Sequence, residues 1–459
     1  MIYNNAEWFM SAKSQLLYSL ILSMSISACG SSSSSPEPKE PESPIEQPEP
    51  EPPVEPPPEP TIPEPELPSY VVVGDSEYPY CGADDSDPDG DGWGWTGSES
   101  CVVRNSAADP DGDGSGILSP VPVADMLLTS ELVNPLATST TKAVFEYLHS
   151  IFGKQILSGQ QDLTWKDSTD MYQRVINDTG KAPAIMGYDF MNYGVFSGDG
   201  GSGKSQTEEA ITHWQRGGLV TFAWHWRDPS GGNGWPEFYT DRTEFRIPMD
   251  GDSLDMDSEA FEQMEADIEI IAAELQKLQA HDIPVLWRPL HEASGGWFWW
   301  GASGPQAQIA LWQYLYDKLT NYYQLNNLIW VWNGQHADWY PGDEYVDIAS
   351  MDVYATAQQY GAEAHSYASV QQFSHHSKLI AMSENNNMPD PDAMAEENAW
   401  WLYFTVWNDG SSAEGLTDPN NFWTGEYYNT AEHKQHVYGH ELVITLDELP
   451  SFQPSPNFP

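Results

Sequence analysis

Basic residues are scarce in this chain. Its 459 residues include 18 lysines and arginines against 69 aspartates and glutamates, which gives a formal net charge of −51. We expect no binding to nucleic acid, because contacts with phosphates need clusters of basic side chains. Three explanations of the acidity stay open. The negative charge keeps the protein soluble, adapts it to saline water, or serves to bind calcium.

Cysteine is also scarce. The three cysteines are Cys29, Cys81 and Cys101, and none follows them. The long C-terminal portion therefore has neither a disulfide nor thiolate chemistry, and any bridge is confined to residues 81–101. The pair His291-Glu292 lacks the second histidine of a zinc-protease helix, and no glycine-rich phosphate loop occurs. We expect no metal in the active site and no required cofactor.

Residues 1–29 have the pattern of an export signal. Lys13 precedes an apolar stretch, residues 16–26, that is too short to span a bilayer as a stable helix. Small residues before Cys29 resemble a bacterial lipoprotein cleavage box, which predicts that Cys29 becomes a lipidated N-terminus. A plain secretory signal is the alternative. We therefore expect an exported protein, either a cell-surface lipoprotein of the outer membrane or a secreted protein.

Residues 30–69 read as a linker, first serine-rich and then rich in proline and glutamate. Residues 36–68 contain 15 prolines and ten glutamates. Such a segment cannot bury a core, and its prolines and like charges keep it extended. A tether of this kind between a lipid anchor and a globular part suits an enzyme that works on an insoluble polymer. An interdomain linker without a lipid anchor is the alternative.

Residues 70–117 predict a small β module stapled by a bridge between Cys81 and Cys101. The segments Tyr-Pro at 78–79, Gly-Trp-Gly-Trp at 92–95 and Ser-Cys at 100–101 resemble carbohydrate-binding module family 10. The resemblance implies that Trp93 and Trp95 stack on a polysaccharide, either cellulose or mannan. Alternatively, these tryptophans fill the core of the tiny module.

An acidic hexapeptide, Asp-Pro-Asp-Gly-Asp-Gly, occurs twice in or near this module. Carboxylates at alternate positions suit the oxygen ligands of calcium, but an EF-hand also needs a glutamate at loop position 12. That position holds Ser98 in one copy and Pro120 in the other, so the EF-hand is excluded. Structural calcium in another geometry and a flexible acidic loop both stay open. The carboxylates concerned are Asp87, Asp89, Asp91, Asp109, Asp111 and Asp113.

Residues 121–459 alternate apolar runs with amphipathic stretches, among them the predicted helices 257–280 and 306–323. Eight such alternations predict an α/β fold, a (β/α)₈ TIM barrel, with function at the carboxyl ends of its strands. The predicted strands are 155–158, 184–187, 219–223, 285–288, 328–332, 348–351, 379–382 and 402–406.

Two apolar runs of this portion, residues 283–292 and 378–384, end in glutamates, Glu292 and Glu384. Paired carboxylates at one rim are what glycosidic-bond hydrolysis needs. The aromatic run that follows Glu292, residues 297–300, predicts the wall of a sugar cleft. This wall would favour the protonated form of Glu292, whereas catalysis by Glu384 needs a low pKa.

The chain resembles glycoside hydrolase family 26, known chiefly for β-mannanases, over residues 135–435. The resemblance implies a retaining mechanism in which Glu292 is the acid/base and Glu384 the nucleophile. The motifs that carry it are residues 287–292 (Trp-Arg-Pro-Leu-His-Glu), 295–301 (Gly-Gly-Trp-Phe-Trp-Trp-Gly), 222–226 (Phe-Ala-Trp-His-Trp), 352–354 (Asp-Val-Tyr) and 383–385 (Ser-Glu-Asn).

Further side chains are expected around this pair. We expect Tyr354 to donate a hydrogen bond to Glu384, His291 to bond or orient a carboxyl group, and Arg288 to hold the carboxylates in place. A structural role in packing or capping is the alternative for each expected substrate contact. The expected substrate-binding residues are His225, Trp226, His291, Trp297, Asp352, Tyr354 and Trp407.

The favoured hypothesis is a monomeric endo-β-1,4-mannanase that cuts mannan, glucomannan or galactomannan. One alternative is the same chemistry on another β-glycan, mixed-linkage glucan or β-1,3-xylan, because a few pocket residues decide the sugar. Another alternative is a non-catalytic, surface glycan-binding lipoprotein. The presence of both Glu292 and Glu384 disfavours this last hypothesis.

Overall fold

The computed structural model describes residues 70–73, 76–81, 92–96, 99–104, 106, 108–109, 118–163, 170–196, 204–231, 237–409 and 421–452. The predicted signal with Cys29, the linker and most of the acidic hexapeptides lie outside these residues. Of those acidic side chains only Asp109 is described, where it accepts a hydrogen bond from Tyr80 at 2.9 Å. For Trp93 and Trp95 the structure describes the backbone only.

The N-terminal module consists, in its described part, of two antiparallel strand pairs. The disulfide predicted between Cys81 and Cys101 is present, with Cα atoms 4.9 Å apart. The guanidinium of Arg104 lies 3.7 Å above the ring of Tyr80, so one face of that ring is covered. The pairs are β1 (Tyr70–Val73) with β2 (Ser76–Pro79), and β3 (Trp93–Thr96) with β4 (Glu99–Val102).

Eight parallel strands close into a barrel in chain order, which confirms the predicted fold class. Their apolar runs are buried on both faces, as expected for strands enclosed by helices. The barrel strands are β6 (Gly159–Gln161), β7 (Ile185–Asp189), β8 (Leu219–Trp224), β11 (Val285–Pro289), β12 (Leu328–Trp332), β13 (Ile348–Val353), β14 (Leu379–Asn385) and β15 (Phe404–Val406).

Two further strand pairs lie outside the barrel sheet, and helices surround the barrel. The pairs are β9 (Met249–Asp250) with β10 (Ser253–Leu254), and β5 (Ile156–Leu157) with β16 (Val443–Ile444). The helices are α1 (Ser139–Ile151), α2 (Met171–Thr179), α3 (Gln206–Gln215), α4 (Glu259–Ala280), α5 (Pro305–Tyr316), α6 (Ala364–Phe373), α7 (Pro391–Glu397) and α8 (Ala431–Gly439).

The first predicted barrel strand was placed too early. Residues 155–158 were expected in the barrel, but Ile156 and Leu157 form β5, which pairs with β16 near the C-terminus of the described chain. The barrel strand is β6, which contains two buried glutamines, Gln160 and Gln161. The prediction chose Ile156 and Leu157 because they are apolar. It missed β6 because two of its three residues are glutamines.

The predicted helices lie close to the observed ones. Helix α4 begins at Glu259 because the side chain of Ser258 accepts the backbone N–H of Phe261 at 3.1 Å, a normal N-cap. Helix α5 begins with Pro305 in its first turn and continues into a π-helical segment, Asp317–Tyr322. In the described part of the chain, no helix is both long and apolar enough to cross a membrane.

Candidate active site

Glu292 and Glu384 converge at the carboxyl rim of the barrel. Glu292 follows β11 by three residues, and Glu384 lies in β14, where a register shift sets it opposite Asp352 of β13. One carboxylate oxygen from each of these three residues lies within 4.8 Å of the other two. This upper limit lies below the roughly 6.5–9.5 Å of an inverting pair and is compatible with a retaining pair, whose carboxyl groups are roughly 5–5.5 Å apart.

The backbone at Glu292 is held in an unusual conformation. Its φ is +52°, in the left-handed region that non-glycine residues seldom adopt. Its N–H donates to both oxygens of Asn333, the backbone carbonyl at 2.7 Å and the side-chain amide oxygen at 3.0 Å. Such a conformation costs about 1–3 kcal/mol and persists only where the surroundings fix it. Asn333 thus positions the Glu292 carboxyl group.

Arg288 is shared by two carboxylates. Its Nη1 donates to Asp352 at 2.6 Å and its Nη2 to Glu384 at 2.7 Å, and all three side chains are buried. The other oxygen of Asp352 accepts from Asn333 at 2.8 Å and from Ser383 at 2.7 Å. The sequence expectation that Arg288 holds carboxylates is confirmed. Buried donors bond both oxygens of Asp352, which anchors Arg288; its expected contact with substrate stays a prediction.

Glu384 is the better stabilised anion of the pair. Tyr354 donates a hydrogen bond to its Oε1, as expected, and Arg288 donates to its Oε2. Burial and the charge of Asp352 nevertheless raise the pKa of Glu384 to about 7, against the lowering effect of Arg288 and Tyr354. The expected low pKa is therefore wrong, because the cost of desolvating this carboxylate exceeds the gain from its two partners.

Glu292 has a much weaker set of donors. Burial, followed by the charges of Glu384 and Asp352, raises its pKa well above the usual range. The indole N–H of Trp297, at 2.9 Å, and the charge of Arg288 oppose this shift. The raised pKa expected from the sequence is thus confirmed, and Glu384 loses its proton before Glu292 because it receives two strong hydrogen bonds.

A chain of polar contacts runs along one side of the site from Asp189 through His225 to His291. Asp189 accepts the backbone N–H of His225 at 3.0 Å and lies 2.5 Å from its Nδ1, which places the ring proton on that nitrogen. The Nε2 atoms of the two histidines are 3.3 Å apart. Burial lowers the pKa of His291 well below its usual value, so it stays neutral. Its ring partner is His225 and not the expected carboxyl group.

The aromatic side chains near Glu292 divide into an exposed and a buried set. Trp297 is 37% exposed and half-buried Trp407 lies 5.7 Å from the His225 ring, so both face the rim. Trp226 is fully buried, stacks on Trp224 at 4.0 Å and donates its indole N–H to Asp267 at 2.9 Å. The expectation that Trp226 contacts substrate is therefore wrong.

The same division corrects the predicted aromatic wall. Trp299 and Trp300 are fully buried and Phe298 is nearly so, which leaves Trp297 as the exposed member of that run. Trp299 donates to the carbonyl of Trp226 at 2.6 Å, and Trp300 donates to that of His291 at 2.8 Å. These indoles fix the backbone behind the site. Glu292 itself is half-buried beside this run.

Two aromatic pairs near the rim were not predicted. Tyr239 is 37% exposed, and its ring stacks on that of Phe298 at 5.6 Å. Burial is the main cause of the raised pKa of Tyr239, and the negative charge of Glu292 raises this pKa further. Phe422 packs 5.7 Å from Tyr354 and stacks on Tyr428 at 5.1 Å. The members of both pairs lie in segments that follow barrel strands. Aromatic residues in such segments were the feature of the sequence that could have pointed to them.

Three clustered carboxylates could in principle hold a metal ion. Here the guanidinium of Arg288 already bonds two of them, Asp352 and Glu384, and supplies the positive charge. The cluster thus fits a reaction in which carboxyl groups themselves act on the substrate.

A closed parallel barrel whose rim carries a close pair of glutamates, one bonded by Arg288 and Tyr354 and the other with a raised pKa, is the arrangement that hydrolysis of a glycosidic bond needs. The chain belongs to glycosyl hydrolase family 26, whose family model matches residues 133–448.

Relatives and solved structures agree with this assignment. The chain is 41% identical over 340 residues to a mannan endo-1,4-beta-mannosidase of Thermothelomyces thermophilus, covering 73% of this chain and 66% of the relative. It is 33% identical over 349 residues to mannan endo-1,4-beta-mannosidase B of Piromyces sp, covering 73% and 57%. The chain thus spans between about half and two thirds of the length of these curated relatives.

A solved structure matches at a TM-score of 0.63 with 32% identity, covering 71% of this chain and 99% of the other. That protein is a beta-mannanase from a symbiotic protist of the termite Reticulitermes speratus, complexed with gluco-manno-oligosaccharide.

Proposed function

We propose that this protein is a retaining endo-β-1,4-mannanase that hydrolyses mannan, glucomannan or galactomannan by double displacement. The observation that carries the proposal is the approach of Glu292, Asp352 and Glu384 to within 4.8 Å, with Glu384 held by Arg288 and Tyr354. The mannanase names of the relatives support the choice of sugar.

In the first step, ionised Glu384 attacks the anomeric carbon. The bond from that carbon to the leaving oxygen breaks as a bond to the carboxylate forms, and protonated Glu292 transfers its proton to the leaving oxygen. Arg288 and Tyr354 keep the attacking carboxylate ionised and oriented. The raised pKa of Glu292 keeps its proton available until the transfer.

In the second step Glu292 acts as a base, because Glu384 has lost its negative charge. Once Glu384 is esterified it carries no charge, and one of the main causes of the raised pKa of Glu292 is removed. Glu292, now deprotonated, takes a proton from an incoming water molecule. The water oxygen bonds the anomeric carbon, and the bond to Glu384 breaks. Two inversions at one carbon give net retention.

We further propose that Trp297 and Trp407 provide apolar faces for sugar rings and that the His225–His291 pair contacts sugar hydroxyls. Trp297 combines a sugar-facing surface with a hydrogen bond to Glu292 at 2.9 Å. A neutral imidazole both accepts and donates a hydrogen bond, which suits recognition of hydroxyl groups.

Release of reducing sugar from locust-bean mannan, barley mixed-linkage glucan and β-1,3-xylan tests the substrate. We expect turnover of mannan to dominate, with products of several sizes appearing at once, as an endo enzyme gives. Preferential turnover of either other polymer would overturn the assignment of the sugar. No turnover of any of the three, by protein whose fold is verified by circular dichroism, would favour a non-catalytic binding role.

We also propose that residues 1–29 direct export, that Cys29 is lipidated, and that the mature chain is a monomer. The composition of residues 1–29 and the small residues before Cys29 support the export and the lipid anchor. Labelling of the wild type with a radioactive fatty acid, and loss of the label in Cys29→Ala, are the expected results. Secretion of unlabelled wild-type protein would contradict the anchor, and sedimentation analysis tests the monomer.

For the small module we propose binding to mannan or cellulose through Trp93 and Trp95, on the strength of its resemblance to carbohydrate-binding module family 10. The double variant Trp93→Ala/Trp95→Ala should lose retention on one of these insoluble polymers while its turnover of a soluble oligosaccharide is unchanged. Retention equal to that of the wild type on both polymers would refute this role. The same binding assay with calcium added or chelated tests the acidic loops at Asp87–Asp91 and Asp109–Asp113.

A further inference from the structure

Two histidines and two aspartates meet at α7 and α8, on elements that the proposed catalysis does not use. His436 Nε2 lies 3.3 Å from Asp390 Oδ2, and His440 Nε2 lies 3.3 Å from Asp392 Oδ1. The two imidazole rings are 5.2 Å apart. One ligand atom from each of Asp392, His436 and His440 lies within 4.8 Å of the other two. We propose that these three residues bind a divalent transition metal ion, such as Zn²⁺, that ties α7 to α8.

The local structure brings these groups together. His436 lies in the last turn of α8 and His440 is its C-cap residue, four positions on, so both rings lie on the same side of the helix end. Asp390 caps α7, with its Oδ1 accepting the backbone N–H groups of Asp392 and Ala393 at 2.9 and 3.3 Å. The cap leaves Oδ2 of Asp390 facing Nε2 of His436.

The chemistry of the donors selects the class of metal. Imidazole nitrogen with carboxylate oxygen suits zinc, nickel, cobalt or copper, whereas calcium and magnesium prefer oxygen ligands alone. Tetrahedral zinc with bonds of about 2.0–2.1 Å places its ligand atoms about 3.3 Å apart. His440 Nε2 and Asp392 Oδ1 already have this spacing, at 3.3 Å, and His436 needs to approach them by at most about 1.5 Å. Rotamer changes can supply this, because the side chain of Asp392 is 75% exposed and that of His436 is 37% exposed.

One contact limits the affinity. His440 Nδ1 accepts the backbone N–H of Leu442 at 3.2 Å, so the neutral ring carries its proton on Nε2, toward Asp392. A metal ion on Nε2 takes the place of this proton, which moves to Nδ1 at the expense of the Leu442 hydrogen bond. The net charge of −51 attracts cations and acts in the opposite direction. We therefore expect a site of moderate affinity that joins two helices and needs no substrate.

The test is a titration of the full chain with ZnCl₂ by calorimetry after treatment with a chelator, together with thermal unfolding. We expect one zinc site in the wild type whose affinity falls at least about tenfold, the scale of a lost supporting contact, in His436→Gln and in Asp392→Asn. Saturating zinc should raise the Tm of the wild type by about 2–5 °C and shift that of the variants clearly less at the same zinc concentration. CoCl₂ should give the visible bands of tetrahedral cobalt in the wild type alone.

His375→Gln is the matched control, because this exposed histidine also lies beside a single aspartate, Asp343, at 3.5 Å. It should bind zinc as the wild type does. Absence of zinc binding by the wild type would overturn the proposal. Equal binding and equal Tm shifts in the wild type and His436→Gln would also overturn it, because the metal would then lie elsewhere, for example on the acidic loops or at Glu292 and Glu384. These outcomes do not depend on whether the protein hydrolyses mannan.

Discussion

Arg288 and Glu384 form a buried ion pair in which Nη2 of the arginine donates to Oε2 of the glutamate at 2.7 Å. The same guanidinium holds Asp352 at 2.6 Å, so a single cation serves two acidic groups. The ionised form of Glu384 is therefore less stabilised than it would be if Arg288 paired with it alone. Burial raises the pKa of Glu384 to about 7. With a pKa of about 7, this nucleophile is about half ionised at neutral pH, and its ionised fraction grows as the pH rises.

Glu384→Ala should abolish hydrolysis of mannan and spare binding. We expect a loss of kcat on the order of 10⁴-fold or more, because the covalent intermediate can no longer form. Binding of oligosaccharide, measured by calorimetry, should stay within a few-fold of the wild type. Unchanged turnover in this variant would reject its assignment as nucleophile.

Glu292→Ala is the matched variant for Glu384→Ala. Rescue of each variant by azide distinguishes the nucleophile from the acid/base. Azide replaces the missing nucleophile in Glu384→Ala and gives an α-glycosyl azide by a single inversion. In Glu292→Ala it replaces the activated water in the second step and gives the β-azide. Each variant is assayed with azide on an aryl glycoside that has a good leaving group. NMR of the products then identifies the anomer of the glycosyl azide. The reverse pattern would exchange the two roles.

Tyr354→Phe should shift the acid side of the pH profile. The tyrosine hydroxyl donates to Glu384 and lowers its pKa, so its loss raises that pKa further. Since the reaction needs ionised Glu384, the rise of kcat/KM with pH should move to higher pH. Below that pKa we expect a fall of about 10- to 100-fold. A pH profile that keeps the wild-type acid limb would show that Tyr354 does not act through Glu384.

Trp297→Phe should shift the other side of the profile. Its indole N–H donates to Glu292 at 2.9 Å and lowers a pKa that burial has raised, so phenylalanine raises that pKa again while retaining an aromatic face. Glu292 must be protonated for the first step, and the alkaline limb of kcat/KM should therefore move to higher pH. A lowered alkaline limb would mean that the indole N–H has some other effect on Glu292.

Trp226→Phe should affect stability and leave binding alone. The change removes the hydrogen bond to buried Asp267 and leaves a small void, at a cost of about 1–3 kcal/mol in the free energy of unfolding. KM should stay within about twofold of the wild-type value. Urea unfolding and kinetics on mannohexaose check both parts. A large rise in KM with unchanged stability would restore the original interpretation of Trp226 as a sugar contact.

The sequence predicted most of the barrel because its strands are apolar on both faces, and it predicted Glu292 and Glu384 because each follows or ends such a run. It could not show that Arg288 is shared with Asp352, since that contact joins residues 64 positions apart. The pKa of Glu384 was misjudged for the same reason. The prediction counted the stabilising partners of this carboxylate, but the cost of its burial depends on the folded surroundings.

The aromatic residues show a second limit of sequence analysis. Trp297 and Trp226 occur in equally aromatic motifs, yet one is 37% exposed and the other is fully buried. A pattern of residue types does not reveal which side of a loop faces the core. The chain of Asp189, His225 and His291 was likewise hidden, because its members come from three different strand ends.

The stereochemistry of the first-formed product tests the central claim most directly. Hydrolysis of mannohexaose in a proton NMR tube reports the anomer released before mutarotation mixes the two forms. Glu292 and Glu384 as a retaining pair predict that the β-anomer appears first and that the α-anomer follows slowly. Early accumulation of the α-anomer would mean a single displacement by water, and the covalent role of Glu384 would be wrong.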